Sequence, residues 1–210
     1  MGIELEFHDI IISLYRWFLG LCLGSSLAFF FAFILVRTKF ALNISWATFG
    51  FLKALPILAL VPLFQNLIGI NETSKILLVA WACFFPVFIS TAGSIREPQK
   101  SLQRRLMLAE NSERKIYRHY LVPRLMKGLL SGIEVAIGIG WLTIVSAEFI
   151  GTFSNGPFRG GLGNFVYNAF EVGNYSKGFL GLFMFGLLGI STTTIWRYCS
   201  KVIMESLYDS

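Results

Sequence analysis

The chain has 210 residues, of which 55% are hydrophobic and only 14% charged, and its net charge is +6. Soluble domains usually carry nearer a quarter of charged residues, and a soluble core of this size cannot bury so much apolar surface. The composition therefore indicates a membrane protein. The positive charges cluster between apolar runs, which is a pattern of membrane topology and argues against a nucleic-acid partner.

Five apolar runs are each close to the roughly 20 residues that a helix needs to cross the hydrocarbon of a bilayer. They comprise residues 11–36, 44–68, 76–95, 129–150 and 178–196. The cysteines Cys22, Cys83 and Cys199 lie inside these runs without metal-ligand spacing, so we expect small buried or lipid-facing apolar residues there. The pattern predicts one transmembrane domain over residues 1–210.

Glycines and prolines recur inside the runs. Two pairs of glycines have a four-residue spacing, namely Gly20 with Gly24 and Gly128 with Gly132. This spacing lets helices approach closely in lipid, and it predicts helix packing, with a substrate path between loosely packed helices as the alternative. Prolines within the second and third runs predict bends, because proline removes a backbone hydrogen bond.

Residues 96–127 carry nine of the 18 Lys and Arg residues. Basic loops between spans stay in the cytoplasm, so this segment predicts the orientation. The loop with Arg37 and Lys39 and the tail with Arg197 and Lys201 are then also cytoplasmic, and the cytoplasmic parts together hold 13 of the 18 cations. The N-terminus is predicted to lie outside.

Within the basic segment, residues 101–120 lack Gly and Pro and are rich in helix-forming residues. Leu102, Leu106 and Ala109 recur at spacings of three and four, as on one face of a helix. We therefore expect two short amphipathic helices at the cytoplasmic surface. Composition alone favours contact with anionic lipid, and a protein partner is the alternative.

Ionisable side chains within membrane spans are functional candidates by default. Arg16 lies near the outer end of the first run and is expected to snorkel to the outer headgroups, or else to pair with Glu148 at the outer end of the fourth run. Such a pair favours a structural or gating role over solute contact. Glu134 is expected to pair with a cation such as Lys53, because an unpaired charge there would cost several kcal/mol.

A specific resemblance begins with the block SERKIYRHYLVPRLMKGLLSGIEVAIGIGWLTIVSAEFIG, residues 112–151. It resembles the permease subunits of bacterial binding-protein-dependent ABC importers, in the group that handles nitrate, sulfonates, taurine and bicarbonate. The shared features are a Leu-Pro-like step, here Val122-Pro123, and an Ala-Glu-aliphatic-Ile-Gly sequence that ends the Gly-rich span at Gly151. Similar blocks follow the family order over nearly the whole chain, at residues 13–24, 55–96 and 160–169.

The resemblance implies an all-α membrane fold, the five-helix core of type I ABC importers (MetI-like), with two copies or paralogues forming a pore in the bacterial inner membrane. It implies that residues 96–127 contain a coupling helix that docks on an ATP-binding cassette ATPase. The candidate coupling residues are Glu110, Ser112, Arg114, Lys115, Tyr117, Arg118 and Pro123. The candidates for a structural or gating role are Arg16, Glu148 and Gly151.

The resemblance further implies a transport subunit without enzymatic activity of its own. ATP and Mg would be bound by the partner ATPase, and an extracytoplasmic solute-binding protein would deliver a small solute such as nitrate, a sulfonate or bicarbonate. The family loop usually begins Glu-Ala-Ala, where this chain has Arg104, Arg105 and Leu106, and has Gly where this chain has Glu110. A non-transporting scaffold or degenerate paralogue therefore stays as the alternative.

Overall fold

A computed structural model describes residues 7–37, 50–52, 54–69, 71–96, 122–150 and 160–208. These residues are almost entirely helical and include no strand. The principal helices are α1 (Phe7–Arg37), α2 (Ile57–Ile68), α3 (Glu72–Arg96), α4 (Val122–Ile150), α5 (Leu162–Glu171) and α6 (Tyr175–Tyr208). The predicted all-α membrane fold is confirmed.

Helices α1, α3, α4 and α6 are long and apolar enough to cross a membrane. They correspond to the first, third, fourth and fifth predicted spans. The second predicted span, residues 44–68, is represented by the 12-residue helix α2, which begins directly after Pro56. Residues 38–49 lie outside the described part of the chain, so the count of five spans stays a prediction.

Helices α1 and α3 pack side by side and run parallel. Arg16, near the start of α1, contacts Glu72 at the start of α3, and further along the pair the rings of Phe31 and Phe84 are 5.9 Å apart. Because α1 therefore ends at the opposite end of the bundle from Glu72, the intervening residues 38–71 connect one end of the bundle to the other.

Helix α4 runs antiparallel to both. Near its start, Gly128 lies against Ser90 of α3, and near its end Glu148 contacts Arg16 of α1. We call the end of the bundle with Arg16 and Glu148 the network end. We call the opposite end, where α3 ends and α4 begins, the basic end, because residues 96–127 connect there.

Close backbone contacts explain the glycine pairs. A Cβ atom on Gly20 would lie 2.5 Å from Cβ of Val79, and one on Gly24 would overlap the carbonyl oxygen of Ala80. Since real Cβ atoms do not approach so closely, only glycine allows α1 to pack this tightly on α3. The interpretation of this pair as a packing surface is confirmed.

A pair of stacked indoles joins three helices of the bundle. The rings of Trp17 and Trp141 are nearly parallel, with centroids 4.9 Å apart. Trp17 Nε1 donates to the carbonyl oxygen of Ile137 at 3.2 Å, and Trp141 Nε1 donates to Oγ1 of Thr192 at 3.1 Å. Both buried N–H groups thus have partners, and the pair links α1, α4 and α6.

The cysteines behave as the apolar residues that their positions predict. Cys83 is buried in the core. Cys22 and Cys199 are exposed on α1 and α6, on the apolar outer surface that the bundle would present to lipid. None of the three forms a disulfide.

Candidate functional site

Arg16 lies between two carboxylates at the network end. Its Nη1 donates to Glu148 Oε1 at 2.7 Å and to the carbonyl oxygen of Gly160 at 2.8 Å. Its Nε and Nη2 both donate to Glu72, in the fork geometry that a guanidinium offers to a carboxylate. Only 1% of the side chain is exposed. The expected snorkelling is therefore wrong, because the guanidinium finds its acceptors inside the protein.

Glu148 is equally buried and accepts hydrogen bonds from three sources. Besides Arg16, they are the hydroxyl of Ser13, which is 2.8 Å from Oε2, and the backbone N–H of Gly163 at 2.9 Å. A buried carboxylate is tolerated only with such complete pairing. The structure thus brings together two residues that the sequence pointed to, Arg16 and Glu148. Whether the pair gates transport stays a prediction.

The same side chains cap the start of α5. The N–H groups of three successive residues, Gly161, Leu162 and Gly163, donate to Asp9, Ser13 and Glu148 respectively. These are among the donors that an α-helix leaves unsatisfied at its N-terminus, and anionic acceptors are favoured there. The short helix α5 is therefore held in place by α1 and α4.

Glycine is required at the first of these positions for two reasons. Gly161 has a φ of +111°, which disfavours any side chain, and a Cβ atom there would overlap the carboxylate of Glu148. The Glu148 carboxylate thus lies so close to the backbone of Gly161 that any side chain at position 161 would overlap it.

Lys75 completes the cluster, with its side chain 4% exposed and its Nζ 3.9 Å from Glu72 Oε1. We call Asp9, Ser13, Arg16, Glu72, Lys75 and Glu148 the charge network. The network joins α1, α3, α4 and α5 at one end of the bundle. Sequence reasoning did not assign Asp9, Ser13, Glu72 or Lys75 to a site, and the available signal was the concentration of charges at the predicted outer ends of apolar runs.

Glu134 has the cationic partner that its position predicts. The structure pairs it with Arg197 of α6, whose Nε is 2.6 Å from Glu134 Oε1, and a pairing with Lys53 stays a prediction. Lys53 itself lies outside the described residues. The observed pair links α4 to α6 in the half of the bundle nearer the basic end.

Most of the predicted coupling residues lie outside the described residues, as does Gly151. The coupling residues concerned are Glu110, Ser112, Arg114, Lys115, Tyr117 and Arg118. Pro123 is described, and it lies in the first turn of α4, where its missing N–H has no helical partner to lose. The predicted fourth span, residues 129–150, thus begins later than the helix itself. The docking role of these residues stays a prediction.

An apolar cavity of about 290 Å³ opens between the residues preceding α2 and the helices α3 and α4. Its walls include Phe85, Pro86 and Ser90 of α3 and Val135 and Ile139 of α4. The cavity thus lies between the two helices that flank the basic segment. Pro86, which interrupts the hydrogen bonding of α3, forms part of its wall.

The long apolar helices and their buried charges define a multi-pass helical membrane protein. Residues 17–203 match the family described as the binding-protein-dependent transport system inner membrane component, and the chain belongs to this family. It is therefore a permease component of a transport system of the bacterial inner membrane.

Relatives from several bacteria share much of the chain. A protein named as an aliphatic sulfonates transport permease of Bacillus subtilis is 31% identical over 202 residues, which cover 95% of this chain and 70% of that relative. The nitrate import permease of Synechococcus elongatus is 24% identical over 198 residues, 93% of this chain and 69% of the relative. The bicarbonate transport system permease of a Synechocystis strain is 27% identical over 156 residues, 74% of this chain and 54% of the relative.

Proposed function

We propose that the chain is the transmembrane subunit of an ABC importer that carries a small oxyanion, such as a sulfonate, nitrate or bicarbonate, into the cell. The names of the relatives support this solute class. The observation that carries the proposal is the packing of α3 against α4. These two helices form the walls of the apolar cavity and also lead directly into and out of the basic segment.

This arrangement supplies a physical route for coupling. At the basic end, a Cβ on Gly128 would lie 2.6 Å from the carbonyl oxygen of Ser90, so the two helices are in backbone contact there. A force applied to the basic segment would therefore be transmitted to both cavity walls at once. Packed helices transmit displacement because protein interiors are close-packed and not fluid.

We propose five crossings with the N-terminus outside and the basic end in the cytoplasm. The distribution of cations supports this orientation, and the parallel arrangement of α1 and α3 supports a crossing by residues 38–71. The charge network would then lie at the outer side of the membrane, and would hold the outer ends of α1, α3, α4 and α5 together as one unit during rocking motions.

The proposed assembly contains partners that the family description implies. A dimer of ATP-binding cassette ATPases would bind ATP and Mg and dock on residues 96–127 inside the cell. A second copy of this chain or a similar permease would complete the pore, and a solute-binding protein would dock outside. The departures from the family loop at Arg104, Arg105, Leu106 and Glu110 fit either a coupling contact with a different surface or a degenerate, non-transporting paralogue, so the test must separate the two.

Reversing the charges of Arg114, Lys115 and Arg118 to Glu tests the docking role. In proteoliposomes with the ATPase and the binding protein, we expect uptake and solute-stimulated ATP hydrolysis to be lost, while membrane insertion stays normal. The control reverses Lys201, a highly exposed cation of α6 outside the basic segment, and should keep uptake.

Two results would count against the proposal in different ways. Normal coupling in the triple variant would remove the docking role from these three residues. Failure of the wild-type chain to associate with any ATPase, or to stimulate its hydrolysis, would contradict the importer function and favour the scaffold.

A further inference from the structure

A second cleft, of about 340 Å³, lies between α3 and α4 at the basic end. It is lined by Ser90, Gly93 and Ser94 of α3 and by Arg124, Lys127, Gly128 and Ser131 of α4. Among the described residues, its lining thus includes cations and hydroxyls but no carboxylate. This composition differs from that of the charge network, where carboxylates compensate each cation.

The backbone of the two helices shapes this cleft. Gly128 forms its floor, because a Cβ there would lie 2.6 Å from both the carbonyl oxygen of Ser90 and Oγ of Ser94. Gly93 lies on the open side of the cleft, where a Cβ would meet no atom within 4 Å. The cleft is therefore a gap between two helices that touch directly beside it.

The donors in this cleft suit an oxyanion. Ser94 donates its own hydroxyl proton to the carbonyl oxygen of Thr91 at 2.7 Å, which leaves the hydroxyls of Ser90 and Ser131 as the donors of choice. Lys127 is exposed and supplies an ammonium group. Arg124 also lines the cleft, but it makes another interaction.

The cleft continues the apolar cavity. Ser90 lines both spaces, and Pro86, Ser90 and Ser94 follow one another at four-residue steps on one face of α3. On α4, Ser131 and Val135 are related in the same way. The two spaces therefore lie next to each other along the α3–α4 pair, the apolar cavity nearer the middle of the helices and the cationic cleft at the basic end.

We propose that this cleft binds a small oxyanion group, with Lys127 supplying the charge and Ser90 and Ser131 donating hydrogen bonds. A sulfonate solute and the phosphate of an anionic lipid headgroup share this chemistry. If the solute is the ligand, the cleft is the inner mouth of the translocation path, an assignment that rests on the proposed function. The binding itself does not depend on that function.

The test measures how fast an amine-reactive acylating reagent modifies Lys127, by mass spectrometry of the full chain in lipid nanodiscs. The internal reference is Lys201, a highly exposed lysine on α6. In phosphatidylcholine discs, millimolar ethanesulfonate is compared with chloride at equal ionic strength. A further arm replaces part of the lipid with phosphatidylglycerol. In at least one of these two arms, we expect Lys127 to be modified severalfold more slowly than in phosphatidylcholine discs with chloride. The rate at Lys201 should be the same in all arms.

A Ser90→Ala/Ser131→Ala variant supplies the specificity control. Both substitutions retain Cβ and so preserve the packing of α3 on α4, and we expect them to abolish most of the protection. Protection by ethanesulfonate assigns the site to a solute oxyanion, and protection only by phosphatidylglycerol assigns it to a lipid headgroup. Equal modification of wild type in all arms, or equal protection of the variant, would overturn the proposal.

This experiment is independent of transport. If Lys127 is protected but the chain associates with no ATPase, the oxyanion site stands and the importer function does not. If uptake is coupled normally but Lys127 is never protected, the importer function stands and the cleft is not an oxyanion site.

Discussion

The two ends of the bundle treat charge in opposite ways. At the network end, the side chains of Arg16 and Glu148 are 1% and 0% exposed and are joined at 2.7 Å. Toward the basic end, Glu134 and Arg197 form a similarly short pair, but their side chains are 36% and 68% exposed. The Arg16–Glu148 pair is part of the packed interior of the protein, whereas the Glu134–Arg197 pair lies at the surface of the bundle.

This difference indicates different roles for the two ends. Removing charges from water is costly, so a buried network persists only while all of its members stay together. The network end is therefore expected to move as one unit. Exposed cations such as Lys127 are available for partners, which agrees with an oxyanion cleft and a docking segment at the basic end.

The largest expected effect comes from breaking the network at its centre. Arg16→Met retains much of the side-chain volume but leaves the carboxylates of Glu72 and Glu148 without their shared cation. We expect the free energy of unfolding to fall by about 3–5 kcal/mol. Denaturant titration in detergent micelles, followed by tryptophan fluorescence, measures this change.

The matched variant at the other pair is Arg197→Met, for which we expect a loss of about 0–1 kcal/mol because the pair is exposed. Equal losses in the two variants would show that burial does not distinguish the ends. If Arg16→Met does not fold, Glu148→Gln provides a second test. Arg16 and the N–H of Gly163 donate to different carboxylate oxygens, so the single amide oxygen of Gln replaces only one of these acceptors, while Arg16 keeps its bonds to Glu72.

Part of the network could be predicted from the sequence. Two ionisable residues at the ends of apolar runs, Arg16 and Glu148, were candidates for a pair because charges in lipid require partners. Glu72 and Lys75 were missed because they lie at the first turn of α3, where hydropathy places a loop and gives no sign of neighbours. The contact of Glu72 with Arg16 spans 56 residues, a separation that only the packing of α1 on α3 explains.

The partner of Glu134 could be predicted only as a kind of residue, a cation. Depth in the membrane indicated that this carboxylate needs a cation, but several cations lie at similar depth and the sequence does not say which helix is adjacent. Apolar periodicity predicted four of the long helices and their order well. Their exact bounds depended on local chemistry, as at Pro123, which permits α4 to begin before the apolar run.

A second prediction compares a closed contact with an open one along the same bundle. Gly24→Leu should destabilise the protein by about 2–3 kcal/mol, because its side chain must enter the backbone contact with Ala80 and force the helices apart. The control is Gly138→Leu on α4, where a Cβ would meet no atom within 4 Å. The same micelle titration measures both variants, and we expect the control to be neutral or slightly stabilised.

This comparison also bears on how stiff the α1–α3 pair is. If Gly24→Leu were tolerated as well as Gly138→Leu, the two helices would separate easily, and the network alone would hold the outer ends together.

The smallest effect is expected within the network itself, at Ser13. Its hydroxyl donates to Glu148 and accepts from the N–H of Leu162 at 2.8 Å, so Ser13→Ala leaves a buried donor and a buried acceptor short of a partner. We expect a loss of about 1–2 kcal/mol. Ser25→Ala, on the same helix, is the control, because the buried Ser25 hydroxyl has no hydrogen-bond partner among the described residues.

The two serines also separate a local role from a global one. Ser13→Ala should speed hydrogen exchange at the amides of Leu162 and Gly163, because the cap of α5 is weakened where the network holds it. Ser25→Ala should leave those amides unchanged and should be neutral or stabilising, since it removes a buried hydroxyl that makes no hydrogen bond within the described part of the chain. Faster exchange in both variants, or in neither, would mean that α5 is positioned by apolar packing and not by the charge network.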